Sequence, residues 1–414
     1  MTSSHATSPT APAGGLVHIA RRVASVPRDK WQGLRPTSVQ VYLENRCHLR
    51  CLHCYESEHS HPPERGLTVE DYDALFGELA ALGGLFVTFT GGEMFLRKDA
   101  LDVVAVARKH RFAVTLYTSG TLIDAAKADR IRDLKVSEVH ISLYSHDASL
   151  HDAFTRSPGS HARSLHALAL LRERGVRTVL KASVLRINID HLDELIALAA
   201  SLGADIQLDP TVRARMDGDR APIELGVSPQ EIMRKILVRP DLSPAFRKHA
   251  AEEFCTGERS ILDGDDVMCS AGRQTLSVGA DGSLSACGYF PIPAGQWRSA
   301  RDGTEATSVA DIWLGSPQLD AVREMTFGGM SDCPTCEVKS TCNPCMAYGL
   351  VEHGDIGACN SASRHGATAM RKLATLKARA NQKMSHGPPL PIVGDTHLPV
   401  AIARQQRSLL HSEP

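Results

Sequence analysis

Two things are scarce in this sequence: net charge and long apolar runs. Lys and Arg number 46 against 47 Asp and Glu, a formal net charge of -1. Such a balance sets up no long-range field to gather nucleic acid or an anionic membrane, so neither is an expected partner. No apolar stretch approaches the roughly 18 residues that would span a bilayer. The opening Met1-Thr-Ser-Ser-His-Ala-Thr-Ser lacks the basic-then-apolar order of a secretory signal. The expected compartment is the cytoplasm, where thiols stay reduced, so the eleven cysteines point to metal ligation rather than disulfides. With 414 residues, 43% of them hydrophobic, the chain can bury a large core and hold two domains or one elaborated domain.

Strand and helix patterns alternate between residues 37 and 210. Strands are expected at Ser38 to Leu43, Leu85 to Thr90, Phe112 to Thr118, Val136 to Leu143, Val176 to Val184 and Asp205 to Leu208. Helices are expected from an N-cap at Thr68 to about Leu82, and at Ala100 to His110, Asp124 to Leu134, Ala162 to Arg174 and Asp190 to Leu202. This alternation implies an α/β fold with a parallel sheet, doubly wound or curled into a partial barrel. Ligand sites in such folds lie beyond the C-terminal ends of the strands.

What occupies those ends carries the chemistry. Cys47-His-Leu-Arg-Cys51-Leu-His-Cys54 follows the first strand, a C-x3-C-x2-C triplet without a nearby fourth cysteine. Cubane iron-sulfur clusters take four thiolates, so three leave one iron open to a small molecule. Structural zinc would want a closed set of four ligands, which His48, His53 and His59 supply only by ambiguous spacing. After the second strand comes Thr90-Gly91-Gly92-Glu93, where glycines allow close backbone approach and Glu93 can accept from an amino group; an ordinary turn would read the same alone. Thr118-Ser119-Gly120 and Ser142 end the third and fourth strands, as ligand hydroxyls or as helix caps.

The cysteine triplet with Gly91-Gly92-Glu93 resembles the radical S-adenosylmethionine (radical SAM) superfamily over roughly residues 37 to 210. The resemblance implies a partial (β/α)6 TIM-like barrel in which Cys47, Cys51 and Cys54 hold a [4Fe-4S] cluster whose open iron binds SAM. It places Gly91, Gly92 and Glu93 at the methionyl amino group, Ser142 at the ribose, and Arg156 of His151-Asp-Ala-Phe-Thr-Arg156 as a carboxylate partner, against a solvated surface arginine as the plainer reading. His53 stands where the family often has an aromatic residue. Reductive cleavage of SAM would give a 5'-deoxyadenosyl radical, the cofactor doing the hard chemistry and the protein aiming it.

The C-terminal half brings Cys255, Cys269, Cys287, Cys333, Cys336, Cys342, Cys345 and Cys359. Asp281-Gly282 between apolar alternations signals a tight hairpin that can bring Cys269 and Cys287 together. The array is similar to the SPASM extension of radical SAM enzymes, which holds two auxiliary [4Fe-4S] clusters, although Cys342 and Cys345 are one residue closer than in that pattern. By resemblance, Cys269, Cys287, Cys345 and Cys255 would hold one cluster, and Cys333, Cys336, Cys342 and Cys359 the other. With the SAM-binding cluster this makes three clusters and uses every cysteine; a pair of zinc knuckles is the competing reading. The expected organisation is an N-terminal arm (1–36), a barrel (37–235), a bridge (236–268), a SPASM auxiliary-cluster domain (269–360), a C-terminal helix (361–384) and a tail (385–414).

Fold alone does not settle the reaction. The resemblance implies oxidative formation of an intrapeptide crosslink in a ribosomally made precursor peptide, with a flavodoxin or ferredoxin as electron donor. About 36 residues precede the first strand, short of a leader-binding domain, so a leader peptide is expected to be recognised by a separate leader-recognition protein or by the barrel and SPASM surface itself. Sulfatase formylglycine maturation is disfavoured because Gly288 stands where those enzymes have an aspartate. Epimerisation needs a thiol outside the clusters and is disfavoured too, unless Cys255 is free. Quinone-cofactor maturation and a non-catalytic metal-binding or redox scaffold both stay open. Tyr289, Asp281, Asp209, Arg213 and Arg215 are candidates to line the substrate cavity.

Overall fold

A computed structural model of the chain describes residues 33–56, 66–237, 264–298 and 306–385, with side chains up to 376. The expected arm up to residue 32, most of the bridge including Cys255, and the tail beyond 385 lie outside these residues. The barrel alternation is present: β1 (Ser38–Glu44), α1 (Val69–Ala81), β2 (Phe86–Gly91), α2 (Ala100–Lys109), β3 (Ala113–Thr118), α3 (Ala125–Asp133), β4 (Glu138–Ser142), α4 (Ala148–Thr155), α5 (Ser160–Glu173), β5 (Thr178–Ser183), α6 (Leu192–Ser201) and β6 (Asp205–Asp209). Thr68 caps α1 as expected, its side chain accepting from Asp71 N while the Asp71 carboxylate accepts from Thr68 N. Helix α4 is additional to the sequence expectation.

Strands β1 to β6 pair in parallel in chain order, as an open curved sheet. The alternation along each strand separates two chemistries. Val39, Val41, Leu43, Val87, Phe89, Val114, Leu116, Val139 and Ile141 are buried in one apolar cluster with Tyr72, Leu75 and Phe76 of α1 and Val103 and Val104 of α2. Leu180 and Ala182 of β5 join a second cluster with Leu192 and Leu195 of α6. The other face carries Gln40 beside Thr88 and Thr115, Tyr42 beside Thr90, Tyr117 beside His140, and Ser142 beside Lys181. A closed eight-stranded barrel fills its interior with Val, Ile and Leu. This sheet instead reserves its inner face for polar groups.

The C-terminal region joins the same sheet. Strand β7 (Thr275–Val278) pairs in parallel with β1, and β8 (Ser283–Ser285) and β9 (Gly295–Gln296) continue antiparallel, giving nine strands in the order β6-β5-β4-β3-β2-β1-β7-β8-β9. The Asp281-Gly282 hairpin is where the sequence places it, with Gly282 at φ 88°. After β6 comes the short α7 (Pro229–Ile232), and beyond the hairpin come α8 (Val309–Gly315), α9 (Pro317–Glu324), α10 (Met346–His353) and α11 (Ser361–Ser385). Trp297, Trp313, Leu319 and Met346 share the apolar cluster of the first strands. Glu78 of α1 accepts from Trp297 Nε1 (3.1 Å) and Val309 N (2.6 Å), fixing the C-terminal region across the sheet edge.

Candidate functional site

The loop after β1 carries Cys47, Cys51 and Cys54, each part-buried. It leans on the end of α4: Arg50 N donates to the Thr155 carbonyl (3.0 Å) and Leu52 N to that of Phe154 (3.2 Å). Burial pushes the Cys47 thiol up to about 11 and raises Cys51 and Cys54 as well, and Cys54 adds to the shifts of Cys47 and Cys51 as a neighbouring potential charge. Three convergent thiols held protonated by burial are a donor set that a metal cluster would ionise by supplying the missing positive charge. They fit a cluster with three protein ligands and one open iron.

Gly91 and Gly92 fasten this loop to β2. Gly92 N donates to the Glu44 carbonyl (2.7 Å) and Glu93 N to that of Arg46 (2.9 Å). A Cβ on either glycine would fall inside contact distance of backbone in residues 44–46. The glycines thus let backbone approach backbone at the root of the cysteine loop. Glu93 is 1% exposed, and its oxygens accept from Phe95 N (3.2 Å), Thr118 Oγ1 (2.6 Å), Ser119 N (2.9 Å) and Ser119 Oγ (2.6 Å).

That carboxylate sets the direction of a longer chain. Ser119 Oγ donates its proton to Glu93, so it accepts from Thr121 Oγ1 (2.9 Å), and Thr121 in turn accepts from His48 Nε2 (2.7 Å). His48, beside Cys47, is thereby fixed in the Nε2-protonated tautomer, and burial lowers its pKa.

Ser142 ends β4 at the mouth, and the adjoining Tyr144 hydroxyl interacts with both Ser142 and the Cys51 thiol. Sequence reasoning missed Tyr144, whose only signal is its position two residues beyond Ser142. His53 packs between Tyr144 (4.8 Å) and Phe154 (4.9 Å), and burial depresses its pKa to about 4, so it sits neutral at the aromatic position. Arg156 is exposed, capping α4 with φ 52°, directly after the residues that support the cysteine loop.

The remaining described cysteines fall into two groups. Cys287 feels Cys345 and Cys269 as neighbouring charges, and burial pushes its thiol up to about 12. Cys333, Cys336, Cys342 and Cys359 line one small pocket, with a cavity volume of about 20 Å³. Burial lifts Cys333 to about 11.

Between the cysteine loop and the Cys287/Cys345 group stands Arg213. Its guanidinium carbon lies 3.9 Å from the ring centroid of Tyr55, 3.7 Å from that of Tyr289 and 5.3 Å from that of Tyr348, and Nη1 donates to the Tyr348 hydroxyl (2.8 Å). Tyr55 follows Cys54 directly, Tyr289 follows Cys287 by two residues, and Tyr348 follows Cys345 by three. Tyr42 completes the cage, meeting the Tyr55 hydroxyl (3.2 Å) and donating to the Gly288 carbonyl (2.9 Å). Deeper in the cleft, Lys181 sits over the Tyr117 ring (4.3 Å), its pKa lowered by burial against the pull of Asp209. The other cavity candidates lie differently. Asp281 is exposed and taken up by the hairpin, accepting from Ser283 N and Oγ, and Arg215 pairs with Asp219 (2.9 Å). Among the described residues, no helix is long and apolar enough to cross a membrane.

The comparisons agree with this geometry. Residues 41–199 match the radical SAM superfamily. The chain is 26% identical over 328 residues to an AdoMet-dependent heme synthase of Oleidesulfovibrio alaskensis, covering 74% of this chain and 82% of that one. It is 27% identical to a PqqA peptide cyclase of Rhodopseudomonas palustris, covering 79% and 86%. The fold is that of Streptococcus suis SuiB bound to its precursor peptide SuiA, with a TM-score of 0.61, 13% identity and coverage of 84% and 80%. The cofactors that follow are SAM and a [4Fe-4S] cluster. Residues 41–199 form a radical SAM domain, and the chain is an enzyme.

Proposed function

We propose that this enzyme matures a ribosomally made precursor peptide by forming an intrapeptide crosslink. Cys47, Cys51 and Cys54 hold the SAM-binding cluster; residues 269–360 form a SPASM domain with two auxiliary clusters. Cys269, Cys287 and Cys345 with Cys255 bind one, and Cys333, Cys336, Cys342 and Cys359 the other. SAM bound at the open iron supplies a 5'-deoxyadenosyl radical, which takes a hydrogen atom from the substrate. Gly91, Gly92 and Glu93 meet the methionyl amino group of SAM, Ser142 its ribose and Arg156 its carboxylate, while the two glycines also set the root of the cysteine loop. The peptide lies on the polar face of the sheet. Bond formation at the substrate radical releases one proton and one electron, and an auxiliary cluster held by the cysteines near Tyr289 and Tyr348 would supply the acceptor for that electron.

The observation that carries this reading is the Arg213 cage, which joins the cysteine loop to the Cys287/Cys345 group across the polar face. Likeness to a peptide cyclase and to the fold of a structure named for its bound precursor peptide supports a peptide substrate. Gly288 argues against formylglycine maturation in structural terms too, since a side chain there would collide with Tyr42 and Gln40. A second reading, a tetrapyrrole substrate, draws on the likeness to the heme synthase. A flavodoxin or ferredoxin donor, a separate leader-recognition protein and a cytoplasmic location complete the proposal.

The test is anaerobic incubation of the cluster-loaded enzyme with SAM, reductant and a candidate precursor peptide, followed by mass spectrometry. Loss of a pair of hydrogens from one internal segment, matched by 5'-deoxyadenosine release, is the expected result. An unchanged peptide, with conversion of an iron porphyrin instead, overturns the peptide reading.

A further inference from the structure

A cluster outside the site described above has the chemistry of a different metal centre. His146 lies in the loop after β4, directly before Asp147, the N-cap of α4. His191 is the N-cap of α6, and Glu194 lies in the first turn of that helix. One donor atom from each of the three lies within 4.8 Å of the others. The imidazole rings of His146 and His191 are 5.6 Å apart between centroids. His146 Nδ1 is buried and has no hydrogen-bond partner among the described residues. A buried ring nitrogen without a partner is the exception in folded proteins and calls for a physical explanation, an ion among them.

We propose that His146, His191 and Glu194 bind a divalent zinc ion, with water completing the coordination. Two imidazoles and one carboxylate are a borderline donor set that suits zinc, whereas magnesium and calcium seek oxygen ligands alone. Zinc-nitrogen and zinc-oxygen bonds of about 2.0–2.2 Å put tetrahedral donors roughly 3.3 Å apart, so the three groups close by an ångström or so on binding. Glu194 is exposed and can swing that far without disturbing packing. The neighbouring carboxylates are committed elsewhere: Asp190 pairs with Lys235 (2.6 Å), and Asp147 accepts from Leu150 N (2.9 Å) and Ser149 Oγ (2.5 Å). The start of α6 presents its positive dipole end to the ion, and the Glu194 charge offsets it.

Zinc here would staple the loop after β4 to the loop before α6. It would also steady α4, whose far end holds the cysteine loop through Thr155 and Phe154. Among the described residues the site contains no sulfur, which separates it from the described cysteine groups and supplies its test.

The cluster-loaded enzyme is titrated anaerobically with zinc by calorimetry, with iron counted before and after, and the bound zinc is then characterised by X-ray absorption at its edge. The expected result is one equivalent bound with iron unchanged and a ligand shell of nitrogen and oxygen only. Glu194→Gln, a surface change that leaves folding intact, should weaken binding at least tenfold, and a His146→Ala/His191→Ala double variant should abolish it. Failure of the native enzyme to bind zinc overturns the proposal. So does a sulfur shell at about 2.3 Å with loss of iron, or undiminished binding by Glu194→Gln and the double variant.

Discussion

Replacing Glu93 tests whether its carboxylate holds the site together. It is 1% exposed and takes four hydrogen bonds, from Phe95 N, Thr118 Oγ1, Ser119 N and Ser119 Oγ. In Glu93→Ala the two hydroxyls can rotate toward other acceptors, but the Phe95 and Ser119 amides cannot move without breaking their turns. Each buried donor left unsatisfied costs roughly 1–3 kcal/mol, so with the small cavity added the expected loss is about 3–5 kcal/mol. Glu93→Gln should cost nearly as much despite its matching shape, because its amide NH2 would face donors on one side. Thermal unfolding of the cluster-free proteins reads this directly and keeps it apart from SAM binding. If both variants melt with the native protein, Glu93 does not hold the mouth and the hydrogen-bond argument fails.

Four further outcomes follow from the same geometry. Gly92→Ala puts a Cβ against the Arg46 carbonyl, so it should displace the cysteine loop and lose about four irons on reconstitution while the other cysteine groups keep theirs; full iron content would show that the loop tolerates the shift. His151 is buried, its Nδ1 accepts from Tyr144 N (3.1 Å), and burial together with His161 depresses its pKa to about 4. The unfolded chain therefore takes up a proton between about pH 6.5 and 4 that the native state refuses. The His151 share is a fall of about 3 kcal/mol as pH drops through that window, and His53, also depressed to about 4, adds its own, so His151→Gln should remove about half of the slope the two set; an unchanged slope would refute the assignment. Arg213→Met removes a buried cation between the proposed clusters, so redox titration followed by electron paramagnetic resonance should find both midpoints more negative; a shift in neither would separate Arg213 from both. Cys333→Ala should remove one auxiliary cluster and leave 5'-deoxyadenosine release intact, since its group is separate from the SAM site; loss of release would join the two.

Local pattern carries β1 to β6 because each strand alternates a helix-packed apolar residue with a polar one, as Val39-Gln40-Val41-Tyr42 and Val114-Thr115-Leu116-Tyr117 do. Helix α4 escaped notice because it is eight residues long, capped by Asp147 and polar on much of its surface. The pairing of β1 with β7 joins Ser38 to Thr275, and no local signal in either segment announces it. The same holds for the Arg213 cage, whose rings come from three separate stretches and become a site only when the sheet brings them together. The closeness of Cys47, Cys51 and Cys54 was legible by contrast, because residues two to four positions apart are neighbours in space by necessity. Glu93 was found by its place after β2, but its hydrogen bonds to Thr118 and Ser119 depend on β3 lying beside β2.

The most direct test of the central claim compares native protein with a Cys47→Ala/Cys51→Ala/Cys54→Ala variant after anaerobic reconstitution with iron and sulfide, then reduction in the presence of SAM. Three clusters predict about twelve irons in the native protein and about eight in the variant, with 5'-deoxyadenosine from the native protein alone. Equal iron in both proteins, or bound zinc at the cysteines with no nucleoside from either, would contradict it.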